Sequence, residues 1–381
     1  MGKIKVFLRL GKRPHPIYNT LINSPPKNII FKYVPIISPS SETKASFLHK
    51  IKVKLWLFSL RNGRPPTIKI NPHGCDLIHT TNNIMNSGKT PWVMDVEHLL
   101  GLFSFDRANL KNKKYFSKVK KTLSSRYCKK LIPYTLASKL SIVHGGLKEL
   151  ESKMQVSYPV TKVIPRFKKQ KNKIPKIMWA GRFFFEKGGN TVLQVFDKLK
   201  GKVKFDLVML GPIPEKIKEK YKDCKNISFI ENKTGDNSLW ENFRTSDIFF
   251  YPTNMDSFGL TMIDAMNHRL PLLTSDMFSA PEIVEDGKTG FVVNHPMKWH
   301  DEKFQSLENF PGEYLGKLKT FHDKKYIKDL GKKLMILLKD ENLRRNMGEA
   351  GYKEVSEGKF SIKKKNKDLE KIYREAAKKN K

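Results

Sequence analysis

Two short segments carry residues whose types and spacing suit chemistry. The first is Ala180-Gly181-Arg182-Phe183-Phe184-Phe185-Glu186-Lys187-Gly188-Gly189. It follows the apolar run Lys176–Ala180, so Gly181 stands where a strand must turn sharply. Arg182 and Lys187 then reach over the strand end. A guanidinium fork beside a compact ammonium suits a diphosphate, although the same spacing fits an ordinary strand–helix loop with two surface cations. The second segment runs from Tyr251-Pro252-Thr253-Asn254-Met255-Asp256 through Ser257-Phe258-Gly259-Leu260 to Asp264-Ala265-Met266. Gly259 permits close backbone approach, and the N–H groups of Phe258, Gly259 and Leu260 are expected to point at a bound anion, which a helix start favours. Asp256 lies just before the turn and Asp264 eight positions on. One carboxylate then faces the reacting group while the other meets hydroxyls at the far end of the same ligand. The plainer alternative is a helix cap and a surface carboxylate.

These loops need a scaffold, and the hydrophobic pattern supplies one. After residue 174 the expected strands are Lys176–Ala180, Phe205–Leu210, Ile227–Ile230, Ile248–Tyr251, Leu270–Thr274 and Gly290–Val293. Helices are expected over Gly189–Lys200, Asn237–Thr245, Gly259–His268 and Ser361–Ala377. Near-continuous apolar strands alternating with amphipathic helices predict a parallel sheet covered on both faces. The first half repeats the pattern more weakly, with strands at Ile4–Leu8, Ile29–Val34, Leu77–His79, Pro91–Asp95 and Lys130–Pro133. A helix is expected over Ala108–Lys129, with Phe116, Val119, Leu123 and Tyr127 on one stripe. The expectation is an α/β protein of two doubly wound, Rossmann-like domains facing across a cleft, with ligands at the carboxyl ends of strands.

Charge divides the chain as well. The 381 residues hold 73 Lys+Arg against 37 Asp+Glu, a formal +36. Residues 1–173 hold 34 basic and 7 acidic residues, a formal +27, and residues 174–381 only +9. The basic run Arg166–Lys173, flanked by Pro165 and Pro175, reads as a solvated linker. A balance this basic predicts a polyanionic neighbour, nucleic acid or an anionic membrane surface. Lys111, Lys113, Lys114, Lys118, Lys120, Lys121 and Arg126 on the expected helix form either its solvated face or a surface lying on lipid headgroups. Three scattered cysteines (Cys75, Cys128, Cys224) make neither a disulfide framework nor a zinc knuckle and point to a reducing cytosol. No run of about 18 apolar residues predicts a transmembrane helix, and the N-terminus reads as a strand, not a signal peptide.

The motif series resembles family 4 glycosyltransferases, retaining enzymes of the GT-B architecture (glycosyl transferases group 1). It comprises Gly181-Arg182 with Glu186-Lys187-Gly188, Pro252, the Asp256–Asp264 pair around Phe258-Gly259-Leu260, Leu270-Pro271, Pro281-Glu282-Ile283-Val284 and Thr289-Gly290-Phe291. The resemblance spans roughly residues 174–377; before that only strand order, Asp95-Val96-Glu97-His98 and Val163-Ile164-Pro165 carry it. It implies that Arg182 and Lys187 hold the donor diphosphate, that Asp256 contacts the transferred sugar, and that Asp264 contacts the ribose. Gly181, Phe258, Gly259 and Leu260 then line the donor. Both carboxylates of the family's signature are glutamates, whereas this chain has aspartates, each shorter by one C–C bond, ~1.5 Å. After the first strand Gly11 stands alone, amid Lys12 and Arg13, where the family has a glycine pair.

The expected activity is a retaining, metal-independent hexosyltransferase. It takes a UDP- or GDP-linked sugar as donor substrate, uses no cofactor, and delivers to a membrane-associated, polysaccharide or glycan acceptor. Asp256, Arg182, Lys187 and His98 form the expected catalytic set, His98 on the acceptor side; a lone histidine is also commonly structural. No Asp-x-Asp or His/Cys cluster with metal spacing is present, and leaving-group phosphate can itself accept the acceptor's proton. The expected domains are an acceptor domain (1–165), a linker (166–175), a donor domain (176–358) and a basic helix returning to the first domain (359–381). The protein is expected in the cytoplasm, on the inner face of a membrane through its basic first domain. The alternative is a basic nucleic-acid- or membrane-binding protein with a degenerate, non-catalytic sugar-nucleotide site. Nucleic acid is disfavoured because no aromatic–basic ribonucleoprotein motif or zinc-finger spacing occurs.

Overall fold

The computed structural model describes residues 2–10, 16–33, 65, 67–81, 84–231, 237–307 and 310–378. Gly11, Lys12 and Arg13 lie outside the described residues. The chain forms two compact units, Met1–Pro159 with Lys363–Lys381, and Val160–Ile362.

The first unit contains β1 (Ile4–Arg9), β2 (Ile29–Lys32), β3 (Thr67–Ile68), β4 (Leu77–Thr80), β5 (Met85–Asn86), β6 (Trp92–Val96) and β7 (Cys128–Pro133). Five of these make a parallel sheet in the order β2-β1-β4-β6-β7, and β3 pairs with β5 separately. Every residue of β4 and β6 is buried, as a sheet covered on both faces requires. The single helix expected over Ala108–Lys129 is instead two, Arg107–Lys111 and Lys113–Ser124, and Cys128 and Lys129 belong to β7. Asn112 causes the break. Its backbone is extended, and its side chain accepts the Tyr115 N–H at 3.0 Å, capping the second helix. Tyr115, Val119 and Leu123 are buried, while Lys113, Lys114, Lys120 and Lys121 are exposed.

The helix Ile362–Ala377 belongs largely to this unit, and a buried polar network fastens it. Its Tyr373 hydroxyl lies 2.7 Å from His79 Nδ1, and His79 Nε2 lies 3.2 Å from the Asp95 carboxylate. Tyr18 donates to the same carboxylate at 2.7 Å. Burial alone would raise the Asp95 carboxyl, but His79, Lys365 and Tyr18 together hold it below its ordinary value. Lys365 and Asn366, also on this helix, donate to the carbonyls of Ser157 and Ser24.

The second unit contains β8 (Lys176–Ala180), β9 (Asp206–Leu210), β10 (Ile227–Ile230), β11 (Ile248–Tyr251), β12 (Leu272–Ser275) and β13 (Gly290–Val293). All six are parallel, in the order β10-β9-β8-β11-β12-β13. The chain runs outward from β8 on one side and from β11 on the other, so strand order reverses between these two neighbours. Ligands of doubly wound sheets bind beyond the strand ends at such a reversal. Both sequence segments singled out above begin there. The stretch 166–175, expected to be a solvated linker, has exposed residues at Arg166, Lys168, Gln170, Lys171, Lys173 and Ile174 and none that is buried, but it makes contact with this unit. Phe167 lies beneath the guanidinium groups of Arg244 and Arg269, and Asn172 donates to Thr245 and Asp247. Cation–ring attraction and satisfied amides anchor the stretch while Lys168, Lys171 and Lys173 stay in solvent.

Replacing Tyr373 by Phe removes the partner of a fully buried imidazole nitrogen. The expected loss is ~1–3 kcal/mol of unfolding free energy in urea titrations of the full chain, with no change in helix content. An unchanged midpoint would show that the network does not fasten the helix.

Candidate functional site

The site is assembled by two loops that press together. After β8, Gly181 N–H donates to Leu210 O, and the chain turns through hydrogen bonds from Lys187 to Phe183, Gly188 to Phe185 and Gly189 to Phe184. Gly188 has φ +74°, and a Cβ there would stand 1.9 Å from the Pro252 carbonyl oxygen. Only glycine fits that position. At Gly181 a Cβ would stand 2.8 Å from Lys187 Cβ and from the Trp179 ring. Its absence lets the lysine stem lie along the strand end.

The loop after β11 docks on this turn. The amides of Asn254 and Met255 both donate to Glu186 O at 2.9 Å, and Asn254 Nδ2 donates to Phe185 O at 2.6 Å. A second layer orients Asn254. Burial pushes His295 down to about 4, so the ring is neutral at physiological pH. Met297 N–H donates to its Nδ1, which places the ring proton on Nε2, 2.7 Å from Asn254 Oδ1. The amide of Asn254 must therefore present its NH2 to Phe185. Tyr314 donates to Asn254 O at 2.6 Å.

This docking brings Lys187 Nζ to 2.8 Å from Asp256 Oδ2 and 2.9 Å from Met255 O. Tyr251, at the end of β11, donates to the same carboxylate oxygen at 2.9 Å. Burial and the Asp256 charge hold the Tyr251 hydroxyl well above its ordinary value, so it remains a donor. Phe258 N–H, expected to face a ligand, instead donates to Asp256 Oδ1 at 3.4 Å. A carboxylate two residues back competes for that amide in an Asx-type turn. The Phe258 ring is buried, 6.3 Å from Phe360. Gly259 adopts φ +84° and starts the helix Leu260–Asn267 with no side-chain cap; in its first turn the Met262 N–H donates back to Gly259 O at 2.9 Å, and the Leu260 and Thr261 amides precede the intrahelical ladder.

The other expected residues are placed as follows. Arg182 is exposed beside Gly181 and has no ion pair among the described residues. Asp264 lies on the helix beyond Leu260; burial, eased slightly by Thr161, pushes its carboxyl up to about 7. His98 belongs to the first unit, outside this cluster. It is buried at the start of the helix Leu99–Leu102, 5.5 Å from the Phe105 ring, and burial pushes it down to about 4. Among the described residues, no group of three or more His, Cys, Asp or Glu side chains is arranged to hold a metal ion. Sequence reading missed Tyr251 as a hydrogen-bond donor and Asn254, His295 and Tyr314 as supports. Asn254 inside the singled-out segment was the one available signal.

Two parallel-sheet units of this kind make the GT-B glycosyltransferase fold. The Anabaena protein Alr3699/HepE, solved with UDP and glucose, superposes with a TM-score of 0.59 at 13% identity, over 97% of this chain and 98% of that one. Residues 161–309 match the family model described as Glycosyl transferases group 1. An uncharacterized 41.2 kDa protein of the cps region of Klebsiella pneumoniae is 30% identical over 33% of this chain and 34% of its own. The capsular polysaccharide biosynthesis glycosyltransferase CapM of Staphylococcus aureus is 24% identical over 52% of this chain and 45% of its own. The chain thus spans about a third to under half the length of these curated relatives.

The raised Asp264 carboxyl has a definite sign. The folded state holds its proton between the unfolded value, ~4, and about 7, so its contribution to stability is lost as pH rises through that window. Asp264→Asn is expected to flatten the thermal-stability profile there. An identical slope in the variant would refute the assignment.

Proposed function

We propose that this protein is a glycosyltransferase that moves a hexose from a UDP- or GDP-linked sugar to a glycan or membrane-associated acceptor. The observation that carries the reading is the Lys187–Asp256 pair, held at 2.8 Å at the strand-order reversal, with exposed Arg182 beside it. The bond from the anomeric carbon to the diphosphate oxygen breaks, leaving charge on phosphate and an electron-poor carbon. Arg182, Lys187 and the Leu260 and Thr261 amides after Gly259 stabilise the leaving diphosphate. Asp256, steadied by Tyr251, lies against the sugar, and Asp264 takes the ribose hydroxyls. The acceptor oxygen forms its bond on the face the diphosphate leaves, giving retention, and its proton passes to a phosphate oxygen. No metal is required by that sequence of events, and His98 serves the acceptor side. The similarity to CapM and to the UDP-bound HepE structure supports the reading.

A thermal-shift panel of UDP-, GDP-, ADP- and dTDP-sugars identifies the donor. With it in hand, Arg182→Ala and Lys187→Ala are each expected to weaken nucleoside diphosphate binding about tenfold or more in calorimetry. Full affinity in both variants would sink the site. Binding without transfer to any acceptor would instead favour the degenerate module.

We further place the protein in the cytoplasm, on the inner face of an anionic membrane. The formal +27 of residues 1–173 and the exposed lysines of Lys113–Ser124 support this. Co-sedimentation should rise with the anionic lipid fraction and fall with salt. Equal recovery on neutral vesicles would overturn it.

A further inference from the structure

A second cationic cavity lies in the Val160–Ile362 unit, away from the loops described above. Its volume is about 240 Å³, and its lining includes Lys169, Lys171, Asp247, Arg269, Arg344 and Arg345. Topology fixes its place. All six strands are parallel, so their starts share one rim and their ends the other. Lys169 and Lys171 precede β8, Asp247 precedes β11 and Arg269 precedes β12. The two arginines at 344 and 345 come from the helix Glu341–Ser356. The cavity is therefore on the rim opposite the Lys187–Asp256 pair.

Five cationic side chains face three carboxylates in this lining, and each carboxylate is already engaged. Asp247 accepts from Asn172 and from the Lys176 amide. Glu349 is shared by Arg166 and Arg269, and Glu341 pairs with Lys171. Lys169 donates only to the Arg269 carbonyl, at 3.3 Å, and forms no ion pair among the described residues. Burial, reinforced by Arg269 and Arg344 and opposed by Asp247, pushes its ammonium down to about 8. Arg269 Nε is sealed from solvent with no acceptor. The same arginine holds φ +59°, and a Cβ on Gly348 would stand 2.1 Å from its carbonyl oxygen. That conformation closes the helix Leu260–Asn267, where Arg269 N–H donates to Met266 O and Leu270 N–H to Ala265 O in a left-handed C-cap, and it holds the arginine at the strand-start rim.

We propose that this cavity is a second anion site, built to take a phosphate-bearing ligand at the rim of the sheet opposite the donor loops. Arg269 already donates to Glu349 and Phe167 O, Arg344 to Leu337 O and Leu338 O, and Arg345 to Asn342, yet a guanidinium carries five N–H donors; their remaining N–H groups, with the desolvated Lys169 ammonium, match phosphate oxygens. The ligand's phosphate comes either from a free polyphosphate or from a lipid phosphomonoester.

Calorimetry of the full chain with pyrophosphate, at constant ionic strength and with and without saturating UDP, tests this. Saturable binding that persists with UDP is expected. Lys171→Glu/Arg345→Glu, at two exposed positions, should weaken it about tenfold or more, as should Lys169→Met. Lys216→Glu/Lys225→Glu makes the same charge change at exposed positions elsewhere and should keep full affinity. Phosphatidylcholine vesicles with and without phosphatidic acid form the second arm. Phosphatidic-acid-dependent binding lost in the first double variant alone assigns the lipid source. Displacement of all pyrophosphate by UDP, equal losses in the two double variants, or absence of binding in both arms would each overturn the proposal.

Discussion

The contact on which the candidate site depends is the approach of Gly188 to the Pro252 carbonyl. Any side chain at position 188 would put a carbon 1.9 Å from that oxygen and force the two loops apart. With them apart, Glu186 O would lose the Asn254 and Met255 amides, and Lys187 would no longer meet Asp256. A lysine and an aspartate separated by 68 intervening positions are thus paired by backbone geometry, before electrostatics contributes. The ion pair is partly shielded, and Tyr251 shares the carboxylate, so the charge lies in one orientation without a ligand. That is preorganisation in its physical sense: the cost of ordering is met by folding.

The two rims of the second unit's sheet show the same logic with different outcomes. At the strand ends, one cation is balanced by one carboxylate and the neighbouring Arg182 remains exposed. At the strand starts, cations outnumber carboxylates and the carboxylates are shared. In the first unit, by contrast, the buried carboxylate of Asp95 faces partners from its own unit, among them His79 and Lys365. Asp95, His79, Tyr18 and Tyr373 are linked to one another and carry a helix from the far end of the chain, with Asp95 Oδ1 left without a hydrogen-bond partner. That network holds structure together, and His98, two residues beyond the end of β6, is buried beside Phe105.

Much of the second unit was legible because its signals are local. The strands Lys176–Ala180, Ile227–Ile230, Ile248–Tyr251 and Gly290–Val293 are bounded as their apolar runs are, and each is followed by a glycine, a proline or a polar residue. In the first half the local signal misled at Asn112. Helical periodicity continued through it, but a side chain able to cap its own backbone ended one helix and began another. In the 166–175 stretch the lysines advertise solvent and Lys168, Lys171 and Lys173 are exposed, while Phe167 and Asn172, two residues among ten, make contacts that no local pattern signalled.

By itself, then, the sequence determined the alternation of strands and helices, the glycines at which loops turn, and the cations and carboxylates those loops carry. All are properties of neighbouring residues, whose backbone preferences and hydrophobic spacing act over a few positions. Only the tertiary structure decided which charges meet. It set Asp256 on Lys187. It fixed the Asn254 amide through a neutral His295, and it gathered Lys169, Arg269 and Arg345 around one cavity. Such pairings join residues tens to hundreds of positions apart. They exist only once the parallel sheet has aligned its strand starts on one rim and its strand ends on the other.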